Sequence, residues 1–224
     1  MRTVLVTGCD TGIGREFARQ YAADGWGVIA TYLDPANRIA DGGGAMRHAA
    51  LDVTDAAQFV ALRDEIGEAA IDLIVSNAGI GLDTGRLGQL DFGYVQRMYE
   101  VNTMGPLRLI ETFRGNLTAG SMRRFVAITS RMGSISLNLS GGHYGYRASK
   151  AGLNALMRSL AIDLFAEGIT VASLHPGWVD TAGGGGDAAL PVDESVSAMR
   201  EVIRRLGNHD TGQVYDYRGT PLPW

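Results

Sequence analysis

An open α/β domain, with a parallel sheet of about seven strands and helices on both faces, is the fold that three features of this sequence predict. Short apolar runs alternate with amphipathic stretches almost from end to end. Three glycines, Gly8, Gly12 and Gly14, lie between the first apolar run and the first helix-like stretch. The chain has 224 residues, 46% of them apolar, which is ample material for a buried core. No repeat and no linker divides it, so 1–224 reads as a single domain.

The elements follow in order. Thr3–Thr7 is a buried strand, and after it Ile13, Phe17 and Tyr21 recur at a spacing of four, on one face of a helix. Val28–Tyr32 is a second strand, rich in β-branched residues. Gly42–Gly44 reads as a loop and Arg47–Leu51 as a weaker third strand. Thr54 reads as the cap of a helix that buries Phe59, Leu62 and Ile66. Ile71–Val75 and Phe125–Thr129 are the next strands, separated by a long helical region from Phe92 to Leu117. Arg147–Phe165 is helical and Ile169–Leu174 is a strand. Val196, Met199, Ile203 and Leu206 stripe a last helix, and Gln213–Tyr217 closes the sheet.

Composition excludes several classes of function. Net charge is −4 with no long run of either sign, whereas a nucleic-acid binder needs a basic patch. The pairs Arg123–Arg124 and Arg204–Arg205 read as solvated faces. No stretch approaches the ~20 apolar residues of a membrane span, and the run after Met1-Arg2 is too short for a signal-peptide core. Cys9 is the single cysteine, which rules out an intramolecular disulfide and fits a reducing compartment. The expectation is a soluble cytoplasmic protein. His48, His143, His175 and His209 are scattered and form no metal-ligand set, so no metal is expected. Of 20 basic residues only Lys150 is a lysine, and arginine cannot replace lysine where a compact ammonium with a movable pKa is needed.

Two motifs carry chemistry. Thr7-Gly8-Cys9-Asp10-Thr11-Gly12-Ile13-Gly14 joins a strand to a helix, so its backbone can approach a pyrophosphate at the helix N-terminus. That makes the fold Rossmann-like, and in such a loop Cys9 need only be small. Farther on, Tyr146 and Lys150 are four apart at a helix start and project from one face. A neighbouring ammonium favours the phenolate and lowers a tyrosine pKa towards working range.

The Gly-x-x-x-Gly-x-Gly spacing after a threonine resembles the short-chain dehydrogenase/reductase family. So do Leu51-Asp52-Val53, Ser76-Asn77-Ala78-Gly79, Val101-Asn102 and His175-Pro176-Gly177, which follow in family order over essentially the whole chain. The resemblance implies an oxidoreductase that moves a hydride between NAD or NADP and a small carbonyl or alcohol substrate. It implies cofactor contacts from Gly8, Thr11, Gly12, Ile13 and Gly14 at the pyrophosphate, and from Asp52 and Val53 at the adenine. Asn77, Ala78 and Gly79 steady the sheet beside the cofactor, Lys150 holds the nicotinamide ribose, and Pro176, Gly177, Val179 and Thr181 lie beside the nicotinamide. Tyr146 is implied as general acid/base, tuned by Lys150, with Asn102 supporting a water relay to Lys150. The substrate carbonyl falls to a serine at the end of the fifth strand. Ser130 stands there, but farther from Tyr146 than is usual in the family, and Ser134 is the alternative. Ser130 is preferred because strand ends position groups better than loops.

Other features stay open at this level. At the end of the second strand, Thr31, Tyr32 and Leu33 offer neither the acidic residue that suits NAD nor the arginine that suits NADP; Arg15 and Arg38 are the nearest cations. The segment between Thr181 and Pro191, with Gly183–Gly186, is short for a substrate lid and suggests loose substrate control. Trp178 is a pocket-wall candidate and Tyr144 is one on equal terms with packing, whereas Trp26 and Trp224 read as structural. Length, the Gly-Ser-Ile loop and the C-terminal Tyr-Asp-Tyr-Arg-Gly-Thr-Pro-Leu-Pro-Trp resemble the small carbonyl-reductase (sniffer-like) and C-factor-like branch. That branch supplies a rival reading, a nucleotide-binding cell-signalling protein with incidental or no turnover. Many relatives form homo-oligomers through the helices near 92–117 and 147–165, while some small carbonyl reductases are monomers.

Overall fold

The strands that form are β1 (Thr3–Val6), β2 (Gly27–Tyr32), β3 (Met46–Ala50), β4 (Leu73–Ser76), β5 (Arg124–Ile128), β6 (Thr170–His175) and β7 (Gln213–Asp216). They make one parallel sheet in the order β3-β2-β1-β4-β5-β6-β7. The computed structural model describes residues 1–39, 45–81, 85–180 and 190–224. The Gly42–Gly44 loop therefore lies outside the described residues.

The central strands are apolar on both faces because helices cover both. Val4, Val6 and Val75 point to the side on which α1 (Gly12–Ala23) and α6 (Val192–Arg205) bury Phe17, Tyr21, Val196, Met199 and Ile203. Leu5, Ile74 and Phe125 point to the other side. There α2 (Ala56–Ile66) contributes Phe59, Leu62 and Ile66, and two longer helices described below complete the layer. The alternation follows from the two-residue period of a strand. From β1 the chain runs outward to β2 and β3, then returns to place β4 on the other side of β1. Such a switch point leaves a crevice beyond the carboxyl ends of the strands.

The helix cap expected at Thr54 forms one residue later. The cap of α2 is Asp55, whose carboxylate accepts from the amides of Ala57 at 2.8 Å and Gln58 at 3.4 Å. The Thr54 hydroxyl is diverted, donating to Asp52 instead. The helical region expected near 92–117 is unbroken from Phe92 to Ala119, as α3 (Phe92–Tyr99), a π-turn (Glu100–Met104) and α4 (Gly105–Ala119). π-turns recur at functional positions, and this one holds the buried Asn102. The following helix, α5 (Tyr144–Asp163), begins before Arg147, which puts Tyr146 in its first turn. Among the described residues, no helix is long and apolar enough to cross a membrane.

Candidate active site

A cavity of about 930 Å³ opens at the carboxyl ends of β1, β4, β5 and β6. At one end it is walled by the glycine loop. Gly8 has φ +71°, and a side chain there would meet the Ala78 backbone at 2.8 Å. Gly14 is buried beneath the loop, where a Cβ would run into the Gly8 carbonyl and the Asn77 amide. Thr11 precedes α1 without making a side-chain cap, and the first turn carries no acidic residue. The amides of that turn are thus left for a ligand, where Thr11, Gly12 and Ile13 line the cavity. Uncapped amides and the helix dipole suit a pyrophosphate, so the residues present fit a dinucleotide.

The loop is clamped from β4. The Thr7 hydroxyl accepts from the amides of Asn77 and Ala78 at 3.0 and 3.1 Å, and Asn77 Nδ2 donates to the carbonyls of Thr7 and Gly8. Asp10, which the sequence reading passed over, accepts from the amides of Leu33 and Asp34, both at 2.9 Å, and so ties the loop to the end of β2. Its signal was a carboxylate inside a phosphate-type loop, where charge repulsion demands another duty. Arg15 donates to the Asn37 carbonyl, and its Nε is buried without a partner. Arg38 is exposed and does not line the cavity.

At the expected adenine end, Val53 is buried and Asp52 is part-buried. Asp52 accepts from the Thr54 amide and hydroxyl through one oxygen and pairs with Arg97 at 3.1 Å through the other. Burial works to raise its pKa, but the bonds from Thr54 and Arg97 outweigh it and hold the carboxyl below its ordinary value. Arg97 lines the cavity and was missed because it joins Asp52 from a distant helix.

At the other end, Ser130 follows β5 and lines the cavity with Tyr146, whose pKa its hydroxyl works to lower, while its oxygen accepts from the Met132 amide at 3.1 Å. Ser134 is instead buried beneath its own loop, facing Ser136 and Leu137, and is not on the cavity wall. Lys150 lies 6% exposed, with Nζ donating to the Ile128 carbonyl at 2.9 Å and 5.9 Å from the Tyr146 ring centre. Asn102 stands behind the wall. Its side chain bonds both backbone groups of Ile80 and donates to Ser149 Oγ at 3.1 Å. A Cβ on Gly79 would lie 3.2 Å from Asn102 Oδ1 and 3.7 Å from Lys150 Nζ, so the two side chains approach one another around that glycine.

Burial pushes Lys150 down from 10.5 to about 8, which still leaves the ammonium dominant at neutral pH. For Tyr146 the direction differs from expectation. Burial raises its pKa and the Ser130 bond opposes this only in part. The low dielectric that makes Lys150 titratable also disfavours the phenolate.

The Pro176-Gly177 turn is pinned by Ser195, whose hydroxyl donates to the Pro176 carbonyl at 2.6 Å. Gly177 has φ +86°, and a Cβ there would meet Leu190 at 2.7 Å. Val179 bridges to Leu190. Thr181 and Gly183–Gly186 lie outside the described residues. His175 lines the cavity with Nδ1 buried and unpartnered. Burial pushes its pKa down to about 4, against the attraction of Asp216 and with help from Arg131. Trp178 stands exposed on the rim. Cys9 is buried, with its thiol pKa raised by desolvation, as a filler of the loop. Among the described residues no group of three His, Cys, Asp or Glu could hold a metal.

Residues 2–188 match the family model described as short chain dehydrogenase. The chain is 43% identical over 154 residues to the C-signal protein of Myxococcus xanthus, covering 69% of this chain and 93% of that protein. It is 34% identical over 231 residues to 1-hydroxy-2-glutathionyl-2-methyl-3-butene dehydrogenase of Rhodococcus sp. (strain AD45), covering 100% of each. Among solved structures, carbonyl reductase Sniffer of D. melanogaster superposes with TM-score 0.89 at 26% identity, covering 100% of both chains. The NADPH-bound carbonyl reductase from chicken fatty liver gives TM-score 0.89 at 29% identity, covering 100% of this chain and 99% of that one. The glycine loop, the ordered landmarks and the sheet order agree with these likenesses, and the chain belongs to the short-chain dehydrogenase/reductase family, in its sniffer-like and C-signal-like branch.

Proposed function

We propose that this oxidoreductase reduces aldehydes or ketones with NADH or NADPH, and oxidises the corresponding alcohols in reverse, with Tyr146 as general acid/base. The observation that carries the proposal is that Ser130 and Tyr146 line one wall of the cavity, with the buried Lys150 Nζ 5.9 Å from the Tyr146 ring centre and an uncapped glycine loop at the far end.

When bound, the nicotinamide supplies or takes up the hydride. The chain's own groups handle the oxygen. Ser130 and Tyr146 share the cavity wall, and in the proposed reaction both donate to the carbonyl oxygen and Tyr146 passes it the proton. Because burial holds Tyr146 in its phenol form, it is loaded as an acid before substrate arrives. Lys150, charged at neutral pH, stabilises the phenolate left behind and is assigned to hold the nicotinamide ribose. Asn102 acts as a positioning residue by tying Ile80 to α5, and its place beside Lys150 around Gly79 supports a water relay from that ammonium. Gly8, Thr11, Gly12, Ile13, Gly14, Asp52, Val53, Asn77, Ala78, Gly79, Pro176, Gly177, Val179 and Thr181 are assigned to the cofactor.

The test is NADH and NADPH oxidation against a panel of aldehydes, ketones and quinones. Turnover should fall by at least ~100-fold in Tyr146→Phe with the fold intact by circular dichroism. Full turnover in Tyr146→Phe sinks the proposal. Likeness to the C-signal protein favours one second reading, a nucleotide-binding signalling role. Cofactor binding without turnover on any carbonyl of the panel would favour it.

A further inference from the structure

The cavity wall is chemically uneven. Its carboxylates, Asp10, Asp34 and Asp52, belong to the glycine-loop and adenine end. Asp10 and Asp34 are occupied with backbone amides, and Asp52 is paired with Arg97. Around Ser130 and Tyr146 no carboxylate lines the wall among the described residues. Arg131 lines it there, immediately after Ser130 in the 3-10 turn Arg131–Gly133.

The other cations on the wall are engaged, Arg97 with Asp52 and Lys150 with the Ile128 carbonyl. Among the described residues the Arg131 guanidinium has no hydrogen-bond or ion-pair partner, and its charge is felt at His175 on the same stretch of wall. A second polar group there, His175 Nδ1, is also buried and unpartnered. An open guanidinium beside the reacting hydroxyls, with an exposed indole at the rim, is an anion receptor with an apolar shoulder.

We infer that the site takes carbonyl substrates bearing a carboxylate, with Arg131 holding the carboxylate while the carbonyl meets Ser130 and Tyr146. This rests on the reductase reading of the site. A guanidinium matches a carboxylate with two parallel hydrogen bonds, which gives orientation as well as attraction. Arg131 is itself exposed, so solvent screening keeps the gain moderate.

The experiment compares 4-carboxybenzaldehyde with benzaldehyde, which differ only in the anionic group. The kcat/KM ratio should favour the carboxylate by at least ~5-fold in the parent, mostly through KM. It should collapse towards unity in Arg131→Gln and be partly kept in Arg131→Lys. A parent ratio of one, or a ratio unchanged in Arg131→Gln, overturns the inference and leaves the reductase reading standing. If neither aldehyde is turned over, the reductase reading fails instead. Calorimetry with benzoate then decides the anion site: binding lost in Arg131→Gln supports it, and equal binding in both proteins overturns it.

Discussion

At the glycine-loop end of the cavity, polar side chains are tied to main-chain atoms; at the end where Ser130 and Tyr146 meet, several are not. Thr7, Asp10 and Asn77 together hold the backbone at Asn77, Ala78, Leu33, Asp34 and the loop itself. On the wall around Ser130 and Tyr146, His175 Nδ1 is buried without a partner, Arg131 is open, and Trp178 is 61% exposed. Bonds from two neighbouring strand ends thus fix the backbone of the first end, where a pyrophosphate would lie under the proposed function. The second leaves the Arg131 guanidinium and the Trp178 ring exposed on the cavity wall.

That contrast can be broken hardest at Gly14. The added methyl of Gly14→Ala meets the Gly8 carbonyl and the Asn77 side chain, neither of which can move without opening the clamp. Titration of NADH or NADPH by fluorescence should show at least ~100-fold weaker binding, with an unfolding free energy lower by ~2 kcal/mol. Unaltered binding would mean that the loop is not the rigid end.

The serines test the other side. Ser130→Ala removes the hydroxyl that meets Tyr146 and should lower kcat by ~10- to 100-fold with little change in melting temperature. Ser134→Ala removes a buried hydroxyl that serves its own loop, so stability should fall by ~1 kcal/mol with kcat within about threefold. The reverse pattern would make Ser134 the substrate-facing serine.

Lys150 gives the effect that pH exposes most directly. Its proton leaves near pH 8 in the folded protein and near 10.5 when unfolded. Between those values the unfolded chain holds more protons, so this group makes the folded state more stable as pH rises through that window. Below it, the buried ammonium is a constant cost. Lys150→Met should therefore be the more stable protein at neutral pH by up to ~3 kcal/mol, with the gap narrowing as pH approaches 10.5. Urea unfolding of both proteins across that range measures it, and a gap independent of pH would contradict the desolvated lysine.

Much of this molecule is a consequence of neighbours in the chain. Strand and helix periods, the glycines that alone fit the turn at Gly8, and the four-residue spacing that brings Tyr146 and Lys150 to one face all act over a few residues. The sequence by itself therefore determined the sheet's elements, the glycine loop and the placing of Tyr146 and Lys150 on one helix face. It did not determine which partner a polar side chain would find. Asp10 reaches amides 23 and 24 residues away, and Arg97 reaches Asp52 across 45. Thr54 lost the cap to Asp55 because Asp52 took its hydroxyl. Ser130 shares the cavity wall with Tyr146 and Ser134 does not, which follows from how α5 packs against the turn after β5. The same packing set the direction of the Tyr146 pKa, since desolvation depends on everything that surrounds a group and not on the residue four positions away.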